Sequence, residues 1–218
     1  MMDEAKPYSP YNPTATLSDR VTRLVSVGED LIFEKWHGLQ LGGFIPADQL
    51  IVDQQSSLSH SHPYQAGSCR TSRALFNEAK KTGIAFRNFV DIGSGKGKIC
   101  FYASKRLDIA NIIGIEFSKP LVDLAEINRE KFGAANISFL HADAADYLLP
   151  QGNSLIFIFN SFDGVILERF LKNNIGHFEE SESVIAYAND SQIKTLARCG
   201  FVALFRDQVR RLSLWQYA

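Results

Sequence analysis

From Phe86 to the C-terminus, two rhythms alternate along the chain. Short apolar runs give way to longer stretches whose apolar residues recur three and four apart. The first rhythm is that of a buried strand, the second that of a helix with one buried face. Phe89–Ile92, Asn111–Glu116, Ile137–His141, Leu155–Phe159 and Ser183–Ala188 read as strands. Lys98–Leu107, Lys119–Phe132, Gly164–Asn174 and Ser191–Cys199 read as the helices between and after them. Pro120 in its first turn and Gly133 just past its end bracket the second of these helices. The unbroken run from Leu155 to Phe159 predicts a strand buried on both faces, at the sheet centre. Phe201–Phe205 and Arg210–Tyr217 close the chain, and the short turn at Arg206-Asp207-Gln208 predicts an antiparallel hairpin. Regular alternation predicts an α/β fold: a doubly wound, mostly parallel sheet of seven strands, covered by helices on both faces.

Upstream the pattern is less regular. Leu17–Val27 and Glu29–His37 read as two helices, and the Gly38–Pro46 stretch ends the second. A polar stretch, Asp53–Ser68, leads to a helix over Thr71–Lys81, with Gly83 as its stop. Residues 1–16 hold Pro7, Pro10 and Pro13 and form no helix; they read as a tail or as a lid carrying Tyr8 and Tyr11. The chain therefore divides into an N-terminal lid or cap segment, 1–68, and a Rossmann-like domain, 69–218.

Composition narrows the classes. The 218 residues, 45% hydrophobic, suffice for one sizeable core. A formal net charge of −1 gives no strong nucleic-acid signal. Cys69, Cys100 and Cys199 are far apart, so they offer neither a disulfide framework nor a paired metal motif. A reducing, cytoplasmic setting is the default. No apolar run reaches the ~18 residues of a membrane span, so a soluble protein is expected. His60 and His62 can share a strand face, but no third ligand is near, and no metal is expected.

Candidate chemistry gathers at the C-terminal ends of the strands, where doubly wound sheets bind ligands. The first strand runs into Asp91-Ile92-Gly93-Ser94-Gly95-Lys96-Gly97. Such a turn at a helix start leaves N–H groups for a ligand. Its Gly-x-Gly-x-Gly spacing departs from the dinucleotide fingerprint Gly-x-Gly-x-x-Gly. The Asp91 carboxylate would repel a pyrophosphate and attract an ammonium or sulfonium group. Glu116 ends the second strand, 25 positions on (116 − 91), where a carboxylate accepts ribose hydroxyls. Asp143 comes just after the third strand. It can accept from an adenine amine, with the Ala144 N–H donating to the ring, or cap the Ala144–Leu149 segment. Asn160 and Phe162 come after the fourth strand, placed to orient and stack on an acceptor. Asp163 reads as a helix cap, as does Asn189 or Asp190 after the fifth strand.

With these residues assembled, the chain resembles the class I S-adenosylmethionine-dependent methyltransferases. Val90-Asp91-Ile92-Gly93-Ser94-Gly95-Lys96-Gly97 is similar to their first motif, Ile113-Gly114-Ile115-Glu116 to the ribose-binding acid, and Leu140-His141-Ala142-Asp143-Ala144 to the adenine side. A narrower resemblance is to small bacterial members of that family, through Gly114-Ile115-Glu116-Phe117-Ser118 and Asn160-Ser161-Phe162, where Ser161 replaces a proline. The resemblance implies the strand order 3-2-1-4-5-7-6. It also implies S-adenosyl-L-methionine as cofactor, bound by Asp91, Gly93, Ser94, Gly95, Gly97, Glu116, Phe117, Asp143, Ala144 and Asn160. Asn160 and Phe162 would face the acceptor, an N or O atom of a small molecule or a protein side chain. His62 and Tyr64 are the first candidates for a base, ahead of Tyr8, Tyr11 and His37. An NAD-linked oxidoreductase and a non-catalytic S-adenosylmethionine-binding module are the competing readings.

Overall fold

The computed structural model describes residues 17–46, 49–50, 63–159 and 161–218. Seven strands form one sheet: β3 (Asn88–Ile92), β4 (Asn111–Glu116), β5 (Ile137–His141), β6 (Ser154–Phe159), β7 (Val184–Ala188), β8 (Phe201–Asp207) and β9 (Leu212–Tyr217). Their order is β5-β4-β3-β6-β7-β9-β8, parallel except for β9, which runs antiparallel to both β7 and β8. This is the expected order 3-2-1-4-5-7-6. β3 and β6 sit adjacent at the centre, with Val90 beside Ile156 and Ile92 beside Ile158, and both are buried on both faces.

Helices cover the two faces. On one side α2 (Cys69–Lys81), α3 (Lys98–Arg106) and α4 (Lys119–Phe132) pack on a core of Phe76, Phe89, Phe101 and Phe157. On the other, α5 (Gly164–Asn173), α6 (Ile175–Glu180) and α7 (Ile193–Arg198) pack on Ile156, Ile158, Phe170, Tyr187 and Leu196.

Four local expectations are corrected. The two N-terminal helices are one, α1 (Leu17–His37). A single interior glycine, Gly28, disfavours a helix by only ~1 kcal/mol, and the two halves share one inward face. The short helix α6 comes directly after α5, where Asn174 marks the end of one helix and the sequence pattern does not announce the start of another. The closing turn lies at residues 208–211, because β8 continues through Asp207. Asn189 and Asp190 cap no helix: Gln192 precedes α7, and Asp190 is buried in an ion pair with Arg206 at 3.1 Å. Asp163 does cap α5, accepting the N–H groups of Val165 and Ile166.

The N-terminal segment is tied to the sheet by polar contacts that its own pattern does not reveal. Asn128 on α4 pins Gln40, accepting its N–H at 3.0 Å and donating to its carbonyl. Leu39 and Leu41 enter the core beside this bridge. β1 (Phe44–Ile45) and β2 (Tyr64–Gln65) form a separate two-stranded ladder. His60, His62, Tyr8 and Tyr11 lie outside the described residues, as do the whole of 1–16 and most of the 53–68 stretch. Among the described residues no group of three potential metal ligands occurs, and no helix is long and apolar enough to cross a membrane.

Candidate active site

The C-terminal ends of β3, β4, β6 and β7 open into one cavity of about 780 Å³. Its floor holds Asp91, Gly93, Ser94, Glu116 and Phe117, its far wall Asp143, Ala144, Phe159, Ser161 and Phe162, and its rim Asn189, Arg210 and Arg211. Tyr64 and α1, through Arg23, Ser26, Val27 and Asp30, close it from above.

The glycine turn is built for packing as much as for a ligand. Gly93, Gly95 and Gly97 have positive φ. A Cβ on Gly93 would collide with Ser161, on Gly95 with the Tyr64 ring, and on Gly97 with Phe139. Gly93 and Ser94 line the cavity, whereas Gly95 and Gly97 are not part of its lining. The expectation of free N–H groups in this turn is corrected. Gly93 and Ser94 donate to the Ile115 carbonyl, Gly95 to Glu116 Oε2 and Gly97 to the Ser94 carbonyl. A turn whose donors are spent internally is no phosphate cradle.

Glu116 is buried and held from two sides. Its Oε2 accepts from Gly95 and its Oε1 from the Ser118 N–H, each at 2.9 Å. Burial pushes its carboxyl upward, and the Ser118 and Gly95 N–H groups pull it back. Each oxygen keeps a second lone pair for a ligand hydroxyl. Asp91 is buried with far less support: a thiol donation from Cys100 to its Oδ2 at 3.8 Å. Burial first, and the neighbouring Glu116 second, push the Asp91 carboxyl up to about 8. A cation arriving beside it would restore its charge. The buried Ser94 hydroxyl has no hydrogen-bond partner among the described residues. An orphaned hydroxyl, an under-paired acid and a backbone-fixed acid suit a ligand carrying a cation and hydroxyls, as S-adenosylmethionine does.

Asp143 caps the 144–146 turn through the Ala145 N–H at 2.8 Å and also lines the cavity with Ala144. The Phe117 carbonyl meets the His141 ring at 3.0 Å, which fixes the chain beside Glu116. Phe162 is buried against the wall. Asn160 and His62 lie outside the described residues. Tyr64 is in place but unsuited to act as a base: its hydroxyl donates to the Leu41 carbonyl at 2.7 Å, and burial pushes it further up. His37 is not in the cavity, because it packs between Phe33 and Phe132.

Two elements of the site escape sequence reasoning. Ser161, read as a lost proline, donates from Oγ to the Ile92 carbonyl at 2.9 Å, tying the end of β6 to β3 where the cavity begins. Lys98 opens α3, where a cation faces the positive end of the helix. It is 4% exposed and paired with Asp30 at 3.1 Å and Glu34 at 3.6 Å on α1. A lysine so misplaced electrostatically signals acidic partners elsewhere, and two carboxylates four apart on a helix supply them.

Comparison with known proteins agrees with this geometry. Residues 87–209 match the family model described as a methyltransferase domain. A segment of 58 residues is 34% identical to the tRNA (guanine-N(7)-)-methyltransferase of Pediococcus pentosaceus, spanning 27% of each chain. Among solved structures the fold is similar to TrmN of Thermus thermophilus, at a TM-score of 0.55 and 15% identity over 70% of this chain and 49% of that one. It is also similar to the ribosomal protein L11 methylase of Lactobacillus delbrueckii subsp. bulgaricus, at 0.50 and 16% over 68% and 80%. A third likeness is to the magnesium protoporphyrin IX methyltransferase of Synechocystis, solved with bound S-adenosylmethionine, at 0.50 and 13% over 68% and 78%. The chain belongs to the methyltransferase-domain family.

Proposed function

We propose that the chain methylates an N or O atom of a small molecule or protein side chain, inside the cavity under α1. The observation that carries this reading is the continuity of that cavity. One continuous space joins the acids of β3 and β4 to the Ser161–Phe162 and Asn189 edge. Pockets of ~300–1,000 Å³ suit small ligands.

The bound cofactor supplies a methyl group already activated by a sulfonium. The chain's own residues have to bind, align and exclude water. In this reading Asp91 pairs with the ammonium group and Glu116 accepts the ribose hydroxyls. Asp143 and the Ala144 N–H read the adenine, and Phe117 lies alongside. Phe162 forms the acceptor's wall. Asn160, next in sequence to Ser161, orients the acceptor through its amide, and His62 is the remaining candidate base of the first rank. Residues 1–68 act as a cap on a catalytic domain over 69–218, with Lys98 and Tyr64 as its anchors.

A second reading, a nucleic-acid acceptor, draws on the three arginines that line the cavity, Arg23, Arg210 and Arg211, and on the short match to a tRNA methyltransferase. Transfer of labelled methyl groups into cell-extract fractions separates the two. Label in the small-molecule filtrate, or label released by protease, supports the first reading. Label released only by nuclease supports the second.

A further inference from the structure

Seven large apolar side chains on α1 are exposed; Val27 borders the cavity, and the other six, Val21, Leu24, Val25, Leu31, Ile32 and Trp36, face away from it. Leu24 is 72%, Ile32 67% and Trp36 83% exposed. At ~100° per residue they fall within one stripe about 140° wide. The opposite arc is already in use. Ser26 bonds Ser68, Asp30 pairs with Lys98, and Phe33 and His37 pack on Tyr102 and Phe132. α1 is thus apolar toward solvent and polar-plus-apolar toward the site. Single exposed apolar residues are ordinary, but a contiguous stripe of this size marks an interface.

We infer that this stripe pairs with the same stripe of a second copy, making an antiparallel two-helix contact with its two-fold axis at Gly28. Gly28 lies in the middle of the stripe and one residue from the middle of the helix. A Cβ built there meets nothing within 4 Å, so the face is open and a second backbone can approach closely. Antiparallel pairing about Gly28 sets Leu24 against Ile32 and Val25 against Leu31 of the second copy. It also lays Val21 along the aliphatic stem of the second copy's Lys35. Apolar meets apolar at the four central positions, 24, 25, 31 and 32, which is the self-complementarity a two-fold interface needs, while Val21 and Trp36 fall opposite the basic positions 35 and 20. Six such side chains, half or more exposed, present several hundred Å² per copy, the order of the ~800 Å² per partner of a stable interface. A lipid surface fits less well. Membrane-surface helices carry a basic polar face, whereas α1 has four acids, Asp19, Glu29, Asp30 and Glu34, to three bases, Arg20, Arg23 and Lys35. The stripe points away from the cavity, so both sites stay accessible in the dimer.

Sedimentation of the full chain tests this. A dimer of twice the 24.4 kDa chain mass is expected. Leu24→Glu alone and Ile32→Lys alone should each weaken dimerisation at least tenfold, with unchanged circular dichroism because both positions face solvent. Both substitutions in one chain should restore the dimer, since position 24 faces position 32 of the second copy. A wild-type monomer at all concentrations, or a dimer that survives both single substitutions, overturns the proposal. So does a monomer that sediments with phosphatidylcholine–phosphatidylserine vesicles, which would assign the stripe to lipid.

Discussion

Lys98 Nζ lies 3.1 Å from the Asp30 carboxylate, joining the first turn after the glycine motif to the helix that closes the cavity. Glu34 stands 3.6 Å away as a second counter-charge. Removing the cation leaves two half-screened acids facing each other across a buried site. Lys98→Ala should therefore destabilise the protein by about 3 kcal/mol, the lower end for breaking a buried pair, because both acids keep some solvent. Chemical denaturation measures the loss. Hydrogen exchange should accelerate in α1 ahead of the sheet, and uniform acceleration would place the effect in the core.

The contact between Gly93 and Ser161 separates backbone strain from collision. Gly93→Ala adds a Cβ that strikes Ser161, at φ +82. Gly133 has nearly the same conformation, φ +72, with nothing within 4 Å. Gly133→Ala should cost only the ~1–2 kcal/mol of left-handed strain, and Gly93→Ala clearly more. Adding Ser161→Gly should bring Gly93→Ala back toward the Gly133→Ala value, less the ~1 kcal/mol hydrogen bond to Ile92. Equal melting shifts for the two alanine variants would show that Ser161 yields freely.

What the sequence made legible was local. The run Leu155–Phe159 and the 3.6-residue spacing of Lys119–Phe132 encode their elements directly, so the strands and the acids at their ends are readable from the chain alone, whereas the sheet order follows from the family resemblance. Contacts between distant residues carry no such periodicity. Nothing near Asp30 announces Lys98, 68 positions on (98 − 30), and nothing near Tyr64 announces Gly95 or Leu41. The same holds for the glycine turn: its composition shows where the backbone bends, but not that Ile115 and Glu116 have already taken its donors.

Tyr64 provides a test of packing against catalysis. Tyr64→Phe keeps the ring over Gly95 and removes the bond to Leu41. A loss of ~1 kcal/mol in stability is expected from that bond, with turnover and its pH profile retained. A fall in kcat on the ~10²–10⁴ scale of a lost general base would return Tyr64 to the chemistry.

Glu116→Gln keeps one oxygen for a backbone donor and places an amide where the other carboxylate oxygen stood. Cofactor affinity should fall by ~1–3 kcal/mol, the scale for mispaired buried groups. Calorimetry on a variant with a wild-type melting profile gives the value, and unchanged affinity would remove Glu116 from the ribose role.

The most direct test is calorimetric titration of S-adenosylmethionine across pH, because cofactor recognition turns on Asp91. In the free protein Asp91 keeps its proton up to about pH 8, while the unfolded chain loses it in the ordinary carboxylate range. Folding therefore holds a proton between those limits, and stability without ligand should fall as pH rises through them. A cation beside Asp91 reverses the preference, so binding should release up to one proton at pH 7. Affinity should then climb from pH 6 to pH 8, by at most tenfold per unit, and level off above. Asp91→Asn should abolish both the release and the climb, and NAD should give no heat. Tight S-adenosylmethionine binding with no proton release and no pH dependence would contradict the role given to Asp91.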